Sequence, residues 1–365
     1  MNTQPTFSER WSPVLTVRGL SVDYEADRPV HAVREVDLAL GRGEILGLAG
    51  ESGCGKSTLA YAVNRLLRPP AHVVGGEVVF HHADGAETDV FALDGEQLRR
   101  FRWNRLAMVF QGAMNALNPV LTVRAQLEDV IRAHEPATDR RERGRRCAEL
   151  LELVGVDPRR LDSYPHELSG GMRQRVMIAM ALVLRPDVLF MDEPTTALDV
   201  VVQREILAEI TRLRAELGFA VVFITHDMSL LLEISDRIAI MYAGRVVEEG
   251  GTERLRRTPL HPYTLGLLRS FPSLTGDPTG LHGIPGRTPD LAESLDRCAF
   301  AERCPYRREV CDGEQPPLVA HPDSPAGADG RAACHAHDPS RYGTAPPESL
   351  LRGEFRPIEE SEVIR

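Results

Sequence analysis

The stretch Gly50-Glu51-Ser52-Gly53-Cys54-Gly55-Lys56-Ser57 constrains this 365-residue chain most, because it has the form G-x-x-x-x-G-K-S. It directly follows the apolar run Ile45-Leu46-Gly47-Leu48-Ala49 and precedes a helical pattern over 56–67, the strand–loop–helix setting this pattern requires. In that setting Gly53 and Gly55 let backbone N–H groups wrap a phosphate, and the helix start attracts the anion. Lys56 neutralises charge, and Ser57 offers a hydroxyl to Mg²⁺. A glycine-rich turn with a capping serine would explain the serine but not the flanking elements. Cys54 reads as a space-filling side chain, with oxidation as its alternative fate.

From residue 15 to about 251, short β-branched runs alternate with helical patterns, which predicts helices on both faces of a largely parallel sheet. The runs 188–191 and 220–225 are continuously apolar, as strands buried on both faces must be. Residues 15–24 and 30–40 alternate instead and predict a smaller antiparallel sheet, so the phosphate ligand is expected between the two sheets. Between 111 and 169 the strand signals stop, and 123–134 and 140–154 show helical periodicity, a helical insertion. Tyr242-Ala243-Gly244-Arg245 predicts a hairpin turn. The expected division is a flexible N-terminus 1–13, a main domain 14–270 with its helical part at about 112–170, and an extension 271–365. The boundary is placed at 270–274. From 282 onward periodicity is scarce, so a metal staple would compensate for a poor core.

Asp192 and Glu193 end the apolar run 188–191, which puts two carboxylates at the C-terminal edge of a parallel sheet, where such proteins hold ligands. His226 follows the run 220–225 and Gln111 follows 106–110, so both are expected at the same edge. A histidine at a strand end is also compatible with a purely structural role. Leu168-Ser169-Gly170-Gly171-Met172-Arg173-Gln174 opens an amphipathic run 172–184, a second helix start able to receive an anion.

Taken in order, the phosphate loop, Gln111, 168–174, Asp192-Glu193, Ala197-Leu198-Asp199 and His226 resemble the ATP-binding cassette (ABC) family. The resemblance implies a P-loop ATPase of α/β class: a RecA-like parallel core, an antiparallel β subdomain and a helical insertion. It further implies ATP bound by Ser52, Gly53, Cys54, Gly55, Lys56, Ser57 and Thr58, with Mg²⁺ held by Ser57, Gln111 and Asp192. Glu193 would polarise the attacking water, with His226 as the switch histidine and Gln111 beside metal and water. Ser169, Gly170, Gly171 and Asp199 would serve ATP bound on an opposite subunit, giving two nucleotides in a head-to-tail pair. Tyr24 lies where the family stacks an aromatic ring on adenine, worth roughly 1–3 kcal/mol. Core packing is its alternative.

His261-Pro262-Tyr263-Thr264, Ile284-Pro285-Gly286 and the segment 111–119 are similar to the oligopeptide, dipeptide and nickel importer ATPases. That branch implies a second ATPase, usually a different chain, two transmembrane permease subunits and an extracytoplasmic solute-binding protein. The expected address is peripheral, on the cytoplasmic face of the membrane, energising uptake of di- or oligopeptides. Nickel, opine or oligosaccharide import and a soluble non-transport ABC ATPase are the alternatives. Cys298, Cys304, Cys311 and Cys334 are separated by five, six and twenty-two residues, wider than zinc-finger spacing. The importer resemblance implies a 4Fe-4S cluster on these four cysteines, with Zn²⁺ or free thiols as alternatives. His335 and His337 are expected at the surface.

Composition limits the other classes. A net charge of −10 without a basic tail argues against a nucleic-acid partner. The apolar run 176–184 is far shorter than the ~20 residues that span a bilayer, and 1–13 lacks an apolar export-signal core.

Overall fold

The computed structural model describes residues 12–112, 116–196, 198–270, 283–320, 330–343, 347 and 350. The chain opens with β1 (Pro13–Tyr24) and β2 (Val30–Gly41), whose alternating burial turns Val17, Val22, Val36 and Leu38 inward. Next come β3 (Ile45–Ala49), α1 (Lys56–Val63), β4 (Ala71–His81), β5 (Glu87–Asp89), α2 (Gly95–Phe101) and β6 (Leu106–Val109). Helices α3 (Val123–His134), α4 (Arg140–Leu153) and α5 (Gly170–Leu182) follow without an intervening strand. Then strands and helices alternate: β7 (Val188–Asp192), α6 (Val200–Leu217), β8 (Ala220–Ile224), α7 (Met228–Ile234) and β9 (Arg237–Tyr242). The hairpin partner β10 (Arg245–Gly251), α8 (Thr252–Arg257), α9 (Pro262–Arg269), β11 (Val319–Ala320) and β12 (Arg331–Ala332) complete the elements used below.

The smaller sheet has the order β2-β1-β4-β5 and is antiparallel. The larger runs β11-β12-β10-β9-β3-β8-β7-β6. Strands β9, β3, β8, β7 and β6 are parallel, and β10, β12 and β11 are added antiparallel. Every residue of β3, β7, β8 and β9 is buried, because helices cover one face and the small sheet with α1 covers the other. Alternate residues therefore serve different cores: Ile45, Leu189 and Val221 pack with α5 and α6, whereas Leu46, Phe190 and Val222 pack with α1 and the small sheet. Caps define the insertion, with Thr122 accepting from the Ala125 N–H and Asp139 from the Glu142 N–H.

Three expectations change. The helix after the phosphate loop stops at Val63, four residues early, because Asn64 bonds its side chain back to the Ala60 carbonyl and Arg65 turns to φ 53°. Pro13 lies within a strand, while residues 1–11 and the proposed boundary from 271 onward fall outside the described residues. Strands β4 and β5 carry no strong sequence signal. The extension needs little core of its own: Leu295, Phe300 and Cys304 belong to the core of the main sheet.

Candidate ATP site at the sheet edge

The loop after β3 has a shape that side chains would obstruct. A Cβ on Gly50 (φ 148°) would meet the Met241 carbonyl oxygen at 2.2 Å, and one on Gly55 (φ 103°) would meet that of Ala32 at 2.2 Å. Gly55 caps α1 without a side-chain hydrogen bond, so the first-turn amides remain for an anion. Ser52 and Gly53 are exposed and Cys54 is buried. Burial pushes the Cys54 thiol above its usual range despite the opposing charge of Lys56, consistent with a packing role. Lys56, 6% exposed, donates from Nζ to the Gly50 and Glu51 carbonyls, both at 2.8 Å.

Ser57 Oγ donates to Asp192 Oδ1 at 3.1 Å. Asp192 is fully buried, and its Oδ2 has no hydrogen-bond partner. Burial holds its carboxyl above 3.8, with Glu193 adding repulsion against the Ser57 bond. An orphaned carboxylate oxygen beside a hydroxyl is a donor set suited to a hard divalent cation. Mg²⁺ therefore fits Ser57 and Asp192 on chemical grounds.

Glu193 follows in the left-handed region, φ 45°, and its carboxylate is held from three sides. Gln111 Nε2 donates to Oε2 at 3.2 Å, Thr196 Oγ1 to Oε2 at 3.0 Å and His226 Nδ1 to Oε1 at 2.9 Å. Burial alone would raise this carboxyl, but the His226 and Thr196 bonds outweigh it and keep it below 4.5. The ends of β6, β7 and β8 thus converge on one ionised group. Thr196 escaped sequence inspection, although its place three residues after Glu193 in a turn was a usable signal.

Tyr24 is half-buried rather than in the core, and its Oη lies 3.1 Å from Thr58 Oγ1. It lines an open hollow of about 410 Å³ with Pro70 and His72. Ser169 is exposed and caps α5, its Oγ accepting from the Met172 N–H at 3.3 Å. Gly171 lets α5 approach α6, since a Cβ there would lie 2.8 Å from Val202. Asp199 caps α6 through the Val201 and Val202 N–H groups, both at 3.0 Å. Ala197 and residues 113–115 of the segment after Gln111 lie outside the described residues.

The four extension cysteines are free thiols. The Cys298 N–H donates to the Cys311 carbonyl at 3.0 Å, and charge interactions with Cys334, Cys298 and Cys311 add to the effect of burial on Cys304. Burial raises all four, Cys298 to about 11. Among the described residues, no three His, Cys, Asp or Glu side chains stand in a metal-holding arrangement. His335 and His337, expected at the surface, are buried, with Nε2 atoms near the Glu314 and Leu260 carbonyls at 3.1 and 2.7 Å.

Residues 33–196 match the model of the ABC transporter family, and 247–311 match that of the oligopeptide/dipeptide transporter C-terminal region. A Brucella melitensis biotype 1 protein described as "Putative peptide import ATP-binding protein" is 44% identical over 319 residues, covering 84% of this chain and 94% of the relative. A Sinorhizobium fredii protein described as "Probable peptide ABC transporter ATP-binding protein" is 45% identical over 310 residues, 84% of this chain and 91% of its own length. Among solved structures, the dimeric ATP-binding cassette MJ0796 bound to ADP and Pi superposes with a TM-score of 0.57 at 29% identity. It covers 65% of this chain and 98% of that cassette. Clostridium perfringens cbiO1, part of an ABC transporter complex, gives 0.57 at 27% identity, with 67% and 91% covered. With both family models matched and relatives 44–45% identical over 84% of its length, this chain belongs to the ATPase subunits of ABC transporters, in the oligopeptide/dipeptide importer family.

Proposed function

We propose that this chain binds and hydrolyses ATP to energise uptake of di- or oligopeptides through separate membrane subunits. The observation that carries this reading is the ionised Glu193, fixed by His226, Thr196 and Gln111, next to the Ser57–Asp192 pair at the mouth of the phosphate loop. Lys56, resting on two loop carbonyls, brings positive charge to the phosphates, and the uncapped start of α1 offers its amides. Ser57, Asp192 and Gln111 would hold Mg²⁺, which neutralises charge on the phosphate oxygens when bound. Glu193 accepts a hydrogen bond from the attacking water and takes its proton as the γ-phosphoryl group leaves. His226 and Gln111 keep that carboxylate aimed, and Tyr24 stacks on adenine.

Ser169, Gly170, Gly171 and Asp199 complete the site of a second ATPase, a reading supported by the dimeric structure of the similar cassette MJ0796. No helix among the described residues is long and apolar enough to cross a membrane. In this reading two permease subunits supply the path, with a solute-binding protein outside and this chain at the cytoplasmic face. Residues 271–365 act as the importer-type extension. Its four cysteines hold a 4Fe-4S cluster, with Zn²⁺ the alternative, after their thiols draw together to ligate. Four free thiols, Cys304 and Cys311 buried and Cys298 and Cys334 partly so, support that assignment.

Replacing Glu193 by Gln preserves ATP binding and slows hydrolysis at least ~10²-fold, the scale of losing a general base. Near-normal turnover refutes its role. Iron and sulfide assays after anaerobic purification decide the cluster, and zinc in their place selects the alternative.

A further inference from the structure

Glu51, inside the phosphate loop, has each of its polar groups engaged. Its N–H donates to Tyr263 Oη at 2.8 Å, and its carbonyl receives Lys56 Nζ at 2.8 Å and the Cys54 N–H at 3.3 Å. Its carboxylate takes a two-pronged grip from Arg303, with Nη1 at 2.7 Å from Oε2 and Nη2 at 2.9 Å from Oε1. Two of these holders lie beyond residues 33–196, which match the ABC transporter model. Tyr263 is the second residue of α9, where its N–H donates to Nδ1 of the capping His261 at 3.0 Å. Arg303 precedes Cys304 in the extension.

Both holders are rigidly seated. Tyr263 is fully buried and Arg303 is 5% exposed. Arg303 also donates to the Pro285 carbonyl at 2.8 Å, the Ile284 carbonyl at 3.2 Å and Tyr242 Oη at 3.3 Å. The Tyr242 ring packs against those of Tyr263 and Phe300 with centroids 4.6 and 5.3 Å apart. The same extension grips the small sheet: Arg34 Nη2 donates to the Leu291 and Glu293 carbonyls at 2.9 and 2.7 Å. A guanidinium fork on a carboxylate is directional as well as charged, so it fixes the loop's path as well as its charge.

We propose that Arg303 and Tyr263 are positioning residues for nucleotide binding, which hold Glu51 so that the phosphate loop keeps its curvature and its one carboxylate stays neutralised. The inference rests on the loop being the ATP site. A carboxylate freed within an anion-binding loop repels a triphosphate. Losing Arg303 is therefore harmful chiefly because Glu51 remains.

The test is steady-state ATP hydrolysis by the full chain with its membrane partners, with calorimetric Mg-ATP binding alongside. Arg303→Ala raises KM for ATP about tenfold, with kcat changed less than about threefold, as expected for breaking a sheltered ion pair. Adding Glu51→Gln to that variant recovers most of the loss, which a purely structural role for Arg303 would not produce. Tyr263→Phe removes only the hydroxyl and raises KM about threefold. Unchanged KM in Arg303→Ala, or no recovery with Glu51→Gln, overturns the inference. If Arg303→Ala does not fold, Arg303→Lys and Tyr263→Phe carry the test, and wild-type KM in both overturns it. Failure of the unaltered chain to bind Mg-ATP would instead overturn the ATP reading.

Discussion

Helices α1 and α5 both have a glycine at their start, Gly55 as the cap of one and Gly170 as the first residue of the other, yet their caps differ. Gly55 is left-handed and gives α1 no side-chain cap, whereas Ser169 is extended and its own hydroxyl satisfies the Met172 N–H. The first helix start is completed by whatever anion enters the loop, with Lys56 and the Ser57–Asp192 pair ready beside it. The second has its Met172 amide satisfied by its own serine without a ligand, while that exposed serine faces outward. A helix start becomes a resident anion site when the chain withholds the cap and supplies charge.

That contrast breaks most visibly at Lys56. Changing it to Ala weakens ATP binding in the isolated chain by about 10²-fold, the cost of a charged hydrogen bond, as calorimetry would read. A loss under about threefold would mean that the amides alone suffice. Asp192→Asn sharpens the same side. The folded protein holds the Asp192 proton more tightly than the unfolded chain, whose ordinary value is 3.8. Its contribution therefore opposes folding at neutral pH and fades as pH falls through the raised value toward 3.8. The variant without ligand should be more stable at pH 7 by about 1 kcal/mol, lose part of this pH dependence, and gain less stability from Mg-ATP than the unaltered chain. Thermal unfolding between pH 4 and 7, with and without Mg-ATP, measures all three. On the capped side the effect is smallest: Ser169→Ala costs about 1 kcal/mol of stability and leaves ATP affinity of the isolated chain within about twofold. Turnover of the paired subunits is what it lowers, and a fall in the isolated chain's own affinity would erase the distinction.

Most of the site was legible because its parts lie at strand ends with local signatures. The apolar runs before Gln111, Asp192 and His226 correctly placed all three at one edge. The left-handed turn at Glu193 and the bond from Thr196 depend on how the chain leaves β7, which no periodicity reports. The early end of α1 was hidden because Arg65 and Leu66 are ordinary helix formers, and tertiary bonds from Arg65 to the Leu93 carbonyl override them. The extension was least legible. Its apolar residues are too sparse to show a period, since Phe300 and Leu295 complete a core built elsewhere. Arg303 and Glu51, 252 positions apart, have no local pattern that could join them.

The extension also finishes the large sheet. Strand β10 has seven residues, and its outer side is met by β12 at Glu248 and Glu249, with Ala333 donating to the Val247 carbonyl. The border then passes to β11, only two residues long, too short to template pairing with another molecule. During synthesis the ATPase core emerges before this closure, so β10 presents open backbone groups until Arg331 has left the ribosome. A chain cut short in that interval would carry its whole catalytic edge and still tend to aggregate, which makes the tail a late-arriving guard of solubility.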